Sequence, residues 1–138
     1  MIVYLDTSVI LRVVLRQPGA LSRFGDWERA YCSELLGVEA RRVLDRLRLE
    51  RGLDDAGLAA AHQQVARAER SFGVVRVTRA VLRRASLPMP TLVKTLDAIH
   101  LATALLLSER ERLDLTFATH DMHQAIAARA LGIDCVGV

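Results

Sequence analysis

Residues 2–10 read Ile-Val-Tyr-Leu-Asp-Thr-Ser-Val-Ile, an apolar run that ends in one acid and two hydroxyl side chains. The short run of β-type residues predicts a buried strand over Ile2–Leu5, with Asp6 at its carboxyl end. Thr7 and Ser8 are residue types that cap helices, so we expect a helix to follow at once, through Val9 to Arg16.

The same alternation of strand and helix continues through most of the chain. Further strands are predicted at residues 31–33 (a strand or a turn), 74–77, 115–118 and 135–138, and further helices at 34–51, 54–71, 79–85, 95–109 and 121–131. Residues 20–30 form an amphipathic stretch, and Pro88 and Pro90 mark one clear loop at residues 87–91. With no internal repeat or linker, this order predicts one domain over residues 1–138, an α/β layer structure with a parallel sheet.

The composition narrows the class of protein further. Hydrophobic residues make up 51% of the 138 but aromatic ones only 4%, so the core must consist of aliphatic side chains, which favours layered α/β packing. No basic leader precedes Asp6 and no apolar stretch approaches membrane length, so we expect a cytoplasmic protein that does not associate with membranes. Cys32 and Cys135 are expected to be small core residues rather than a disulfide.

The cations of this chain are nearly all arginines. The formal charge is only +3, but 18 of the 19 cations are Arg and the remaining one is Lys94. Arginine presents a planar fork that suits phosphate, so an arginine-rich surface around an acidic cleft would suit a polyanionic substrate. For any single arginine the alternative is an ordinary solvated surface. Our candidates for substrate contact are Arg79, Arg83, Arg84 and the loop 88–91.

Four acidic residues stand alone among apolar or small neighbours: Asp6, Glu39, Asp97 and Asp121. Asp6 and Asp121 follow the carboxyl ends of predicted strands, the edge where open parallel sheets bind ligands. Helical spacing places Glu39 within an apolar stripe and Asp97 on the same side of its helix as Leu101. Carboxylates gathered in a poorly solvated cleft repel one another unless protonation or a bound cation relieves them. We therefore expect a divalent metal site, and with it phosphoryl chemistry.

Three of these acids also have ordinary structural explanations. Asp6 and Asp121 could cap the helices that follow them. Asp97 could be favoured by the helix dipole near an amino terminus. A shared site is favoured because all four acids could converge at one edge of the sheet.

The partners of Glu39 and of two histidines also have alternative interpretations. If Glu39 is buried it needs a partner, and Arg42 or Arg12 could form an ion pair with it. His120 and His123 could face one way on a helix as a pair of transition-metal ligands, or they could lie at the surface or face the polyanionic substrate.

Four segments of the chain carry these acids in a recognisable form. They are Tyr-Leu-Asp-Thr-Ser-Val-Ile at 4–10, Ser-Glu-Leu-Leu-Gly-Val-Glu at 33–39, Leu-Asp-Ala-Ile-His-Leu-Ala-Thr-Ala at 96–104 and Phe-Ala-Thr-His-Asp at 117–121. Together they resemble PIN-domain ribonucleases, most closely the VapC-type toxins of bacterial and archaeal toxin-antitoxin pairs. Their order and spacing agree with that family over essentially the whole chain, and the segment 96–104 is the most specific.

The resemblance implies a PIN-like α/β/α sandwich with a central parallel sheet flanked by helices. It implies an Mg²⁺- or Mn²⁺-dependent endoribonuclease, in which Asp6 and Asp97 are the principal metal ligands, Glu39 is a ligand or holds a water, and Asp121 is the most variable contributor. From the residues themselves, we expect His100, three residues after Asp97, to pack or hydrogen-bond beside the site rather than bind the metal, because the other candidate ligands are all oxygen. RNA would be the substrate.

Partners also follow from the resemblance. VapC-type proteins are expected to form homodimers and to be silenced by a cognate antitoxin whose tail enters the active-site groove. In the sequence itself, the apolar face near residues 21–30 and the Ala-rich helix after Asp54 could receive a partner helix, with core packing as the alternative.

Other Mg²⁺-binding α/β classes fit the residues less well. A phosphoacceptor receiver domain would have paired acids after the first strand and a late lysine, and a haloacid-dehalogenase-like phosphatase would have an acid at position 8, which is Ser8. The remaining alternative is a non-catalytic PIN scaffold that binds RNA or protein, and the presence of all four acids argues against it.

Overall fold

Five strands and six helices make up the chain in a computed structural model that describes residues 1–138. The strands are β1 (Ile2–Leu5), β2 (Arg29–Ser33), β3 (Gly73–Val75), β4 (Leu115–Ala118) and β5 (Asp134–Val136). The helices are α1 (Thr7–Val14), α2 (Leu35–Leu49), α3 (Asp55–Ser71), α4 (Arg79–Ala85), α5 (Thr95–Glu111) and α6 (Met122–Ala130). The strands form one sheet in the order β3-β2-β1-β4-β5 and every neighbouring pair is parallel, as the sequence predicts.

Both faces of the sheet are covered, because successive residues of the central strand β1 point to opposite sides. Val3 and Leu5 pack into a core cluster with α1, α2 and α3. Tyr4 belongs to the cluster on the other face, with α5 and α6, and its ring stacks on that of Phe117 at a centroid distance of 5.4 Å. The expected α/β/α sandwich is therefore confirmed.

The strand register brings the ends of β1 and β4 to the same edge of the sheet. Leu5 pairs with Ala118, and the backbone N–H of Asp6 donates to the carbonyl of Ala118 at 2.9 Å. One residue further, the N–H of Thr119 donates to the carbonyl of Val136 on β5 at 3.1 Å. Asp6 and the segment after β4 thus emerge side by side, which is the geometry that the sequence argument requires.

The amphipathic stretch at residues 20–30 contains no helix. It runs through turns, with Gly25 at φ 96°, and β2 begins at Arg29. Its apolar residues are explained by packing: the rings of Phe24 and Trp27 meet edge to face at 5.0 Å, and Trp27 also contacts the first core cluster and Phe72.

Several predicted boundaries are off by one or two residues. The helix cap at the start of α1 is Asp6 rather than Thr7 or Ser8, and α1 ends at Val14. Strand β3 ends at Val75 because the N–H of Val77 donates to the Glu34 carboxylate at 2.7 Å instead of continuing the sheet.

The two cysteines pack in the core clusters on opposite faces of the sheet. Cys32 is fully buried in the first core cluster, where burial raises the pKa of its thiol to about 12, and Cys135 is partly buried; both are free thiols. None of the helices combines the length and the apolar content that crossing a bilayer requires.

Gly137 gives a test of the contact between β5 and the site edge. A Cβ at this position would lie 2.4 Å from the Thr119 carbonyl oxygen, and the backbone has φ +101°. We expect Gly137→Ala to lower the free energy of unfolding by about 1–3 kcal/mol more than Gly25→Ala. Gly25 is the matched control, because it has a similar φ of +96° but open space around the added methyl. Equal losses in urea denaturation would show that the close approach to Thr119 is not a constraint.

Candidate active site

Asp6 is buried at the carboxyl end of β1, with only 6% of its surface exposed. It is the N-cap of α1: Oδ2 accepts from the backbone N–H of Ser8 at 3.2 Å and from the Ser8 hydroxyl at 2.5 Å. Oδ1 has only long contacts, 3.5 Å to Nε2 of Gln124 and 3.6 Å to Nε2 of His100. Capping therefore uses one oxygen and leaves the other without a close donor.

Gln124 is a residue of this edge that sequence reasoning missed. Its side chain is completely buried, and its Oε1 accepts from the Thr119 hydroxyl at 2.7 Å, which turns the amide NH₂ toward Asp6. The Thr119 hydroxyl also accepts the backbone N–H of Asp121 at 3.0 Å. The available sequence feature was a Gln three residues after the N-cap Asp121, the position of a capping box.

Glu39 projects from α2 toward the same edge with 21% of its side chain exposed. Its Oε1 accepts from the Thr7 hydroxyl at 2.8 Å and lies 2.6 Å from Nε2 of His100. Burial acts to raise the pKa of Glu39, but the hydrogen bond and the charge of His100, together with the hydrogen bond of Thr7, outweigh it, so the net pKa is lowered. The carboxylate is thus held ionised by donors from α1 and α5.

The alternative interpretation of Glu39, an ion pair with Arg42 or Arg12, is wrong. Arg42 pairs with Asp45 at 3.3 Å, one turn further along the same helix, and Arg12 donates to the carbonyl of Gly19 at 3.3 Å. Both arginines are held by partners close in sequence, whereas Glu39 is reached by a histidine 61 residues away.

Asp97 lies in the first turn of α5, half-buried, and no hydrogen bond contributes to its ionisation. Burial raises the pKa of Asp97 most, followed by the charges of Asp6 and Asp121, and the charge of Glu39 adds to them, while His100 opposes them. The charges of the other three acids therefore all act on Asp97. The four acids from distant parts of the sequence are brought together at one edge.

Asp121 is the N-cap of α6, as its structural explanation predicts. Its Oδ1 accepts the backbone N–H of Gln124 at 3.0 Å. Like Asp6, it uses one carboxylate oxygen for the cap.

The donor chemistry of this edge fits a hard divalent cation, although no three acidic, histidine or cysteine side chains already form a ligand group. Oδ1 of Asp6 has only long contacts and the carboxylate of Asp97 accepts no bond that affects its pKa. Carboxylate oxygens are the ligands that Mg²⁺ and Mn²⁺ prefer. A cation would also relieve the repulsion that raises the pKa of Asp97.

His120 and His123 lie in different environments. Nδ1 of His120 donates to the carbonyl of Gly137 at 2.7 Å, and its Nε2 is buried without a partner. His123 is exposed on α6. That the pair binds a metal stays a prediction. Neither histidine belongs to a group of three side chains placed to hold a metal ion.

Comparison with known proteins gives the family. The model of the PIN domain matches residues 3–130. The chain belongs to the PIN domain family. Ribonuclease VapC46 of Mycobacterium tuberculosis is 34% identical over 134 residues, which are 95% of this chain and 93% of the relative. The sequence of this PIN domain is therefore similar to a VapC ribonuclease, as its four motifs predict.

Solved structures agree with the fold of the PIN domain. FitAcB from Neisseria gonorrhoeae has a TM-score of 0.68 at 20% identity, covering 96% of this chain and 95% of the other. A toxin-antitoxin complex from Klebsiella pneumoniae has a TM-score of 0.60 at 17% identity, covering 89% of each chain. At these identities the likeness concerns the fold alone.

The charge cluster predicts that Asp97→Asn stabilises the metal-free PIN domain. Because the pKa of Asp97 is raised above its ordinary value of 3.8, folding disfavours the ionised form; the destabilisation is absent below that value and complete above the folded-state pKa. At pH 7 we expect a gain of about 0.5–1 kcal/mol, small because the group is half-exposed and screened. Thermal and urea unfolding with EDTA, at low and high salt, would measure it.

The matched control is Asp114→Asn, which removes an exposed carboxylate outside the cluster. It should change stability by less than about 0.5 kcal/mol. A loss of stability in Asp97→Asn at neutral pH would contradict the repulsive cluster.

Proposed function

We propose that this PIN domain is an Mg²⁺- or Mn²⁺-dependent endoribonuclease and the toxin of a VapBC-type toxin-antitoxin pair. The observation that carries the proposal is the geometry of this sheet edge: Asp6 and Asp121 follow neighbouring strands, and Nε2 of His100 lies 2.6 Å from Glu39 and 3.6 Å from Asp6. Asp97 lies close enough that, after burial, the charges of the other three acids raise its pKa. Repulsive carboxylates are costly to a fold, so their assembly favours a role in binding a cation.

The distribution of arginine supports the same interpretation. The chain has 18 arginines, and its arginine ion pairs involve other acids: Asp26, Glu28, Asp45, Glu69 and Glu109. The acids of the site are contacted instead by hydroxyls, an amide and His100. A guanidinium on these carboxylates would compete with a metal, whereas the hydroxyl and amide donors orient them without adding a charge.

A bound cation would supply charge neutralisation at the scissile phosphate and activation of a water molecule. Asp6, Asp97, Glu39 and Asp121 would hold it. Because the pKa of Glu39 is lowered, the carboxylate is ionised at neutral pH, and its oxygen Oε2 can also orient a water.

Nucleophilic catalysis by a side chain has no support here. The hydroxyls of Ser8 and Thr7 donate to Asp6 and Glu39, and the Cys32 thiol is buried with its pKa raised to about 12. Direct attack by water on the RNA phosphodiester is therefore the proposed reaction.

The substrate and the partners are proposed from the relatives. The M. tuberculosis relative is named a ribonuclease, and the K. pneumoniae neighbour is a toxin-antitoxin complex. We accordingly propose an RNA substrate, a cognate antitoxin, a homodimer and a cytoplasmic location. A cavity of about 510 Å³ beside α1 and α3, with Phe24, Trp27 and Phe72 in its wall, is where the apolar segment 21–30 could receive a partner helix.

One of the three arginines proposed to contact RNA already has an acidic partner. Arg84 is bound to Glu109 at 3.2 Å, whereas Arg79 and Arg83 are exposed. Among the three arginines, Arg79 and Arg83 are therefore the better candidates for phosphate contact.

Cleavage assays with purified protein and total cellular RNA test the activity. With Mg²⁺ or Mn²⁺ we expect cuts that EDTA abolishes and that Asp97→Asn reduces by at least about 100-fold, the size of effect when a group that stabilises the transition state is lost. Asp114→Asn, which leaves the cluster intact, should cut like the wild type. Cleavage that persists in EDTA or in Asp97→Asn would contradict the assignment, and no cleavage of any RNA would favour the non-catalytic PIN scaffold.

The toxin assignment is tested separately by the neighbouring gene. We expect a short reading frame beside this one whose product forms a stable complex with the PIN domain and stops RNA cleavage. Toxicity on expression, relieved by co-expression of that product, is the expected result. Without such a frame, a solitary nuclease is the better description.

A further inference from the structure

His100 is a fully buried titratable residue at the site, with 1% of its surface exposed, and the proposed chemistry assigns it no step. It lies on α5 and contacts two other elements. Nδ1 lies 2.9 Å from the hydroxyl of Tyr4 on β1, and Nε2 lies 2.6 Å from Oε1 of Glu39 on α2. Oδ1 of Asp6 is 3.6 Å from the same Nε2.

The direction of the bond to Glu39 follows from the acceptor. An ionised carboxylate can only accept hydrogen bonds, and Oε1 of Glu39 already accepts from the Thr7 hydroxyl, so Nε2 of His100 carries the hydrogen of the 2.6 Å contact. This holds whether the imidazole is neutral or cationic. The Tyr4 contact at Nδ1 fixes the plane of the ring, and edge-to-face packing of the two rings at 6.0 Å supports that orientation.

Glu39 is held in place through one of its two carboxylate oxygens, Oε1. Oε1 accepts from both His100 and Thr7, so the carboxylate cannot rotate without losing two hydrogen bonds. Oε2 accepts no side-chain hydrogen bond in the structure and is left for a ligand or a water. A carboxylate that is fixed through one oxygen and free at the other can orient a cation or a water molecule.

We propose that His100 is a positioning residue that locks Glu39 in the ligand-binding orientation through its Nε2–H, with Tyr4 holding the imidazole in place. The inference rests on the proposed function for the role of Glu39. His100 acts through Glu39 and has no contact with substrate.

The test compares two replacements of His100 by Mn²⁺ titration calorimetry, RNA cleavage and thermal unfolding. His100→Leu removes the donor, and we expect Mn²⁺ affinity and kcat to fall about 10- to 100-fold, as for other groups that orient metal ligands. KM for RNA should change little. His100→Gln can place an amide N–H near the position of Nε2. We expect this variant to have Mn²⁺ affinity and kcat within about threefold of wild type.

A double-mutant cycle separates positioning from general stability. If His100 acts through Glu39, adding His100→Leu to Glu39→Gln should have almost no further effect on Mn²⁺ affinity or kcat. His62→Leu, on α3, is the control for loss of a histidine away from the site and should match wild type. If His100→Leu does not fold, Tyr4→Phe, which removes only the hydroxyl, should give a smaller loss of the same kind.

Three results would overturn the proposal: wild-type Mn²⁺ affinity in folded His100→Leu, no rescue by a folded His100→Gln, or additive effects with Glu39→Gln. Calorimetry needs no RNA cleavage, so it decides the role of His100 even if the wild-type protein cuts no RNA. In that event the nuclease assignment fails by itself, and the positioning of Glu39 is still tested.

Discussion

Burial of Asp97 beside the charges of Asp6, Asp121 and Glu39 is the constraint on which this edge of the molecule depends. Parallel strands end at one edge, so β1 and β4 deliver Asp6 and Asp121 there, and α2 and α5 add Glu39 and Asp97. Hydrogen bonds offset the cost unevenly, because Asp97 alone has no bond that stabilises its charge. The least satisfied acid is thus the clearest indication that this edge has a role in binding a cation.

Capping and ligand binding are compatible roles for the strand-end acids. Asp6 caps α1 with Oδ2 and Asp121 caps α6 with Oδ1, so each carboxylate is fixed by the helix amino terminus through one oxygen. The other oxygen stays available. Because the cap also fixes the side-chain rotamer, helix formation itself preorganises the site.

Local patterns predicted the elements and the acids but not the contacts between layers. The alternation of strand and helix patterns predicts the parallel sheet. The position of Asp6 and Asp121 just after strands predicts that both belong to the site. Residue type alone offers Arg42 or Arg12 as a partner for a buried Glu39, whereas the donor in the structure, His100, comes from helix α5. Residues 20–30 show the same limit, since Phe24 and Trp27 are apolar for packing against each other and the core rather than for a helix face.

The hydrogen-bond donors on the site acids differ in kind from the donors on acids elsewhere in the chain. Elsewhere the chain satisfies carboxylates with arginine, as in the bidentate pair of Arg41 and Glu69, which raises the pKa of the guanidinium and lowers that of the acid. Such a pair would fill the acidic cleft with a permanent charge. His100 and Thr7 fix Glu39 through a single oxygen without placing a guanidinium in the cleft. Orientation without full neutralisation leaves negative potential at the sheet edge, and that potential is what would attract a divalent cation.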